Sequence, residues 1–214
     1  MNRKMFDLML SWAGVVLVAV FAVSGVLLMI GYNFANTQVT DRLTEQHVYF
    51  PAAGDPQLKE PAIGPYLTQY STPVQTVNGQ KVGQQVTNGK QAEAYANHYI
   101  AVHLEGVANG QTYSEVSGQY LACLNNAGSC TTDQINTLSG QRMTLFMGET
   151  LRGLLLNAYA FWTFGQIALY AAIGAFIAAA FFLVFTILGF WHLSRVSKKE
   201  KAAAQPAAVE EKAA

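Results

Sequence analysis

The sequence predicts a mainly α-helical membrane protein, with two transmembrane helices flanking a small, mostly helical extracytoplasmic domain that has one disulfide and irregular loops. Three observations predict it. Two uncharged apolar runs are each long enough to cross a bilayer, basic residues gather at the outer ends of both, and helix-start signals and both cysteines lie between them. Composition agrees, since 51% of residues are hydrophobic and only 12% charged, against about 25% charged in ordinary soluble domains. The formal net charge of zero gives no electrostatic footprint for nucleic acid.

Residues 1–7 form a short N-terminus that contains Arg3 and Lys4. The first span, 8–32, reads LMLSWAGVVLVAVFAVSGVLLMIGY and carries no charge. About 20 apolar residues suffice to cross the hydrocarbon, and Trp12 and Tyr32 stand where interfacial aromatics belong. A cleavable signal has an apolar region of only about 7–15 residues, so a retained anchor is expected. The second span, 170–191, is bracketed by Tyr170 and Trp191 and followed by Arg195, Lys198, Lys199 and Lys201. Basic flanks mark the cytoplasmic side, which predicts a multi-pass plasma-membrane protein with both termini cytoplasmic. The alanine-rich, charged stretch 192–214 reads as a disordered tail. Neither span contains an ionisable residue. Pumps and transporters need such groups, so that class is disfavoured.

The segment 33–150 is then extracytoplasmic. Its cysteines, Cys123 and Cys130 in CLNNAGSC, lie in a compartment that permits oxidation. They read as a disulfide staple of about 2–3 kcal/mol rather than half a zinc site, because structural zinc takes four ligands. Asn78-Gly79 suits a tight hairpin turn, although the flanking alternation is poor and an irregular loop fits residues 74–82 equally well. Asn88 can cap a helix running to about Leu104, with Gly106 or Gly110 as its stop. Thr112 with Glu115, and Thr131 with Gln134, have capping-box spacing. No proline interrupts the chain from Gln141 to Pro206, so one long helix can lead into the second span.

Two histidines and a carboxylate can hold non-haem iron, which makes QAEAYANHYIAVHLEGV, residues 91–107, the natural place to seek an active site. At 100° per residue, His103 falls among the apolar residues and His98 on the opposite side beside Glu105. Helical ligands that share a metal stand three or four residues apart; these stand five apart. A buried His103 and a solvated His98 are therefore expected, with a site from His47, His103 and a glutamate as the rival. Phosphate loops, haem-attachment and zinc signatures are absent, and Ser114 and Ser117 lack a nucleophile-elbow setting. No cofactor and no small-molecule substrate is expected.

The informative feature is an apolar surplus. Leu154 to Trp191 spans 38 residues, about 57 Å of helix, against a hydrocarbon core of about 30 Å. Residues 151–169 should therefore begin the long helix outside the hydrocarbon, where an exposed apolar patch marks a contact surface. The chain's own domain, a partner protein or the headgroup layer could cover it. Leu154, Leu155, Phe161 and Trp162 are the expected contacts. Gly174 and Ala178, four apart, would let another helix approach closely.

The phrases DRLTEQHVYFP, QQVTNGKQAEAYANHYIAVHL, YSEVS and GETLRGLLLNAYAFWTFG resemble an actinobacterial family of two-span membrane proteins often labelled aromatic ring-opening dioxygenase. They are similar, too, to the accessory family of respiratory supercomplex-associated factor 1. The resemblance covers residues 41–51, 84–117 and 148–165. It implies a subunit without cofactors whose partners are membrane lipid and subunits of the cytochrome bcc complex and cytochrome oxidase. The dioxygenase label would imply iron ligands, and with no ligand spacing in the chain no catalytic residue is carried over. An outward-facing metal enzyme using His47 and His103 is the alternative from another class. A ligand-sensing membrane protein ranks last, for want of an output domain.

Overall fold

The computed structural model describes residues 3–126 and 128–210. The chain forms two compact units, Met1–Asn33 with Gln166–Ala214, and Phe34–Gly165. Two long helices contribute to both units, α1 (Arg3–Glu45) and α6 (Thr132–Glu210). Each is long and apolar enough to cross a membrane.

Within the first unit the two helices pack antiparallel, and small residues let them approach. A Cβ on Gly14 would collide with the Thr186 side chain, and one on Gly25 with the Phe176 ring. Phe21 stacks on Phe182 at 5.6 Å, while Trp12 meets Phe190 edge-on at 6.3 Å. Close backbone approach is the usual means by which apolar helices associate when no hydrophobic gradient drives them together. Gly174 takes no part in this seam, since a Cβ there would meet nothing within 4 Å. Ala178 is half-buried. The stretch 192–210, read from sequence as a disordered tail, continues α6 as helix to Glu210. Its alanines, lysines and glutamates are good helix formers. The remaining tail residues, 211–214, lie outside the described residues.

The second unit is built on the ends of those helices. Ala35, Val39 and Leu43, spaced four apart on α1, are all buried, and Val39 and Leu43 reach its core. The sequence predicts a first span over 8–32, and α1 continues beyond it as helix to Glu45. Beyond α1, a three-stranded antiparallel sheet has the order β1 (Tyr49–Pro51), β3 (Gln80–Gln85), β2 (Gln75–Val77). The β2–β3 connection is the Asn78-Gly79 hairpin, with φ of 50° and 79°. Positive φ at both central residues matches the twist of paired strands.

A 3-10 turn at Pro56–Lys59 and the short α2 (Gly64–Leu67) lie between β1 and β2. The next helix begins at Asn88, whose Oδ1 accepts from the Gln91 amide at 3.0 Å. It comprises α3 (Gly89–Tyr95), a π-turn at Ala96–Ile100, and α4 (Ala101–Val107). The Thr112/Glu115 capping box opens α5 (Tyr113–Asn125). Thr131 and Gln134 form the equivalent reciprocal pair before α6. Cys123 and Cys130 are bonded, stapling the end of α5 to the approach of α6. Phe50, Ile63, Leu67, Val86 and Val116 are the largest fully buried side chains. Around them pack Ala92, Ala96, Ile100, Leu104, Leu145 and Leu155.

Candidate interaction face

Between Leu145 and Phe164, α6 presents two different faces. One is consumed by the unit's own core. Leu145 and Leu155 are buried, and Leu156, Ala158 and Trp162 pack beside them. Two glycines set how closely the neighbouring helices approach. A Cβ on Gly89 would collide with Trp162, and one on Gly148 with the Leu104 side chain. Arg152 tethers this face polarly, donating from Nη2 to Asn97 Oδ1 at 3.3 Å and pairing with Glu149 at 3.5 Å.

The opposite face is largely open, although Phe161 meets Phe34 edge-on at 6.4 Å and Phe146 lies 5.8 Å from Tyr113. Met143, Phe146, Met147, Leu151, Leu154, Phe161 and Phe164 are exposed, Leu154 at 63% and Phe164 at 69%. Met147, Leu154 and Phe161 stand seven residues apart, which places them in one column along the helix. Beside the column, α6 and the end of α1 enclose an open cleft of about 410 Å³. Val39, Leu43 and Leu155 are its buried residues, and Leu151, Leu154 and Phe161 also line it, with Gln38, Arg42, Gln46 and Asn157.

The four residues expected to make contacts therefore divide. Leu154 and Phe161 point away from the unit's own core. Leu155, at 3% exposure, is core, and Trp162 is half-buried against that core and Gly89. Sequence reasoning could not divide them, because a helix whose apolar residues surround it gives no phase to read. Nor did it single out Met143, Phe146 and Met147, although their spacing before Leu154 was visible.

The histidines differ from expectation. His98 is half-buried and lies flat on Tyr66, with ring centroids 3.4 Å apart and planes within 5°. His103 is exposed. Its Nδ1–H donates to the Tyr99 carbonyl at 2.7 Å, and its Nε2 accepts from the Gln57 amide at 3.1 Å. Both rings thus dock on the segment between β1 and β2. The π-turn is the physical reason, since its wider i→i+5 spacing breaks the 100° phase that the wheel assumed across residues 96–100. Both ring nitrogens of His103 are thus engaged within the unit. His47 is exposed, in the turn after α1, at φ 50°. Among the described residues, no group of three or more His, Cys, Asp or Glu side chains is placed to hold a metal ion.

Burial and hydrogen bonding shift several acidic groups of this unit. Tyr95 packs against Phe50 and Tyr99, and burial, helped by Tyr99, pushes its hydroxyl well above the ordinary value. Burial also raises Tyr99, opposed by a hydrogen bond to Gln57. Tyr113 is lowered by the adjacent Arg142. The Glu115 carboxylate is lowered by the Thr112 backbone amide that it accepts in the capping box.

These features define a mainly helical unit with an exposed apolar face, in a chain that has two helices long and apolar enough to cross a membrane. No protein-family model, curated protein or solved structure matches the chain.

Proposed function

We propose that this chain is a non-catalytic accessory subunit that bridges or stabilises a respiratory supercomplex of cytochrome bcc menaquinol reductase with cytochrome oxidase. In this reading two spans hold it in the plasma membrane with both termini cytoplasmic. The observation that carries the reading is the bare column on α6. Leu154 stands 16 residues before Tyr170, about 24 Å of helix beyond the expected hydrocarbon edge. Headgroup layers add only about 5–8 Å on each side, so lipid does not reach it. Leucine and phenylalanine left in water at that height favour a protein neighbour, since burying each is worth about 1.5–3 kcal/mol. The resemblance of residues 41–51, 84–117 and 148–165 to the supercomplex-associated family supplies the respiratory assignment.

The test is deletion of the gene, followed by purification of the bcc complex in mild detergent. The expected result is reduced co-purification of the oxidase while each complex keeps its haems. Undiminished co-purification overturns the proposal.

A further inference from the structure

The cleft between the end of α1 and α6 has a chemistry that selects its occupant, and the inference drawn from it rests on the reading of this face as an assembly surface. We infer that it is a groove for an amphipathic helix of a partner protein, which lays apolar side chains on Leu151, Leu154 and Phe161 and offers a carboxylate to Arg42.

Charge is the first reason. Arg42 is the only charged side chain lining the cleft. The ion pair present among the described residues is Arg152 with Glu149, so Arg42 has no carboxylate partner among them. Asp41 and Glu45 flank it on α1 but do not line the cleft. A guanidinium beside apolar side chains favours a carboxylate, which it can hold with two parallel hydrogen bonds. The remaining polar groups, Gln38, Gln46 and Asn157, surround apolar residues, and a polar rim around an apolar centre is the anatomy of a protein interface.

Length is the second reason. The apolar column runs past the cleft to Met147 on one side and Phe164 on the other. Those 18 residues rise about 26 Å from the first to the last. A small molecule filling about 410 Å³ would leave the column's ends in water. A helix of four to five turns covers it, using the i, i+3, i+4, i+7 anchors typical of helix-in-groove recognition.

A second copy of the chain fits less well. Two copies the same way up in a membrane would pair about a two-fold axis and present the same patch to each other. Each cleft then brings a cation and no anion. A lipid phosphate fits less well too, because it would meet Arg42 and leave Leu151, Leu154 and Phe161 uncovered.

The test uses the full chain in native membranes, with photoreactive benzoylphenylalanine in place of Leu154, and mass spectrometry to sequence the cross-linked peptide. The expected product is a protein segment with a 3–4 apolar repeat and an Asp or Glu aligned with Arg42. Arg42→Glu should lower the cross-link yield at least fivefold, whereas Asp41→Lys, outside the cleft, should leave it within twofold. Arg replacing the partner's carboxylate should restore the yield in Arg42→Glu. An unchanged Trp162 unfolding transition in Arg42→Glu shows that the variant is folded. Cross-linking to a second copy, to lipid or to a segment without the repeat overturns the inference, as does a yield indifferent to Arg42→Glu. Capture of such a helix from a protein outside the respiratory complexes upholds the groove and overturns the respiratory reading. Loosened complexes on deletion, without such a helix at position 154, do the reverse.

Discussion

Leu154 and Leu155 are chemically identical neighbours with opposite environments, and changing each to alanine separates folding from assembly. Leu155 is 3% exposed and belongs to the core cluster of its unit. Truncation there removes buried methyl groups and leaves a cavity, which costs about 2–5 kcal/mol. Taking about 3 kcal/mol, and about 3–4 °C per kcal/mol for a unit of this size, the melting temperature should fall by about 10 °C. Leu154 is 63% exposed, and its truncation should stay within about 0.5 kcal/mol. Trp162 is the reporter, as the one tryptophan between residues 34 and 165. With Trp12 and Trp191 changed to Phe, its emission follows unfolding of that unit alone. The same two variants are then scored for retention of the bcc complex and oxidase, where Leu154→Ala should be the weaker binder at unchanged stability. Equal destabilisation by the two changes, or a larger effect at Leu154, would refute the division of α6 into a core face and a bare face.

Other outcomes follow from the same packing. Gly89→Val should destabilise the unit by about 1–3 kcal/mol through overpacking and alter Trp162 emission, because a Cβ at position 89 collides with the Trp162 side chain. Replacing Cys123 and Cys130 together by serine should cost about 2.5 kcal/mol by loop entropy, read as a lower denaturation midpoint that reductant no longer shifts. Burial raises the Tyr95 hydroxyl above its ordinary value of 10.0. Its contribution to stability is therefore complete below pH 10 and lost as pH rises through the folded value. Alkaline denaturation followed at 295 nm should show this loss in the wild type, and Tyr95→Phe should reduce it.

The legible parts of this chain were those set by local chemistry. Asn88, Thr112 and Thr131 marked helix starts because a side-chain oxygen must satisfy amides that lack intrahelical partners, and such partners lie within three residues. The cysteine pair was legible for the same reason of short range. The apolar runs declared two helices able to cross a membrane by length alone. What failed was phase. The π-turn at Ala96–Ile100 exchanged the expected exposures of His98 and His103, and nothing local in ANHYI announces it. The hairpin at Asn78-Gly79, left undecided by its poor alternation, forms because β3 also pairs with β1.

The sequence by itself determined how much apolar surface this protein carries and how far along the helices it extends. It could not decide which side of α6 is spent on the protein's own core. That choice belongs to the tertiary structure, where Gly89 and Gly148 admit Trp162 and Leu104 and so fix the rotation of α6 about its axis. Leu155 goes inward as a consequence, and Leu154 and Phe161 are left facing out beside Arg42. The physical reason is that hydrophobic burial is non-directional, whereas close packing of particular side chains is not.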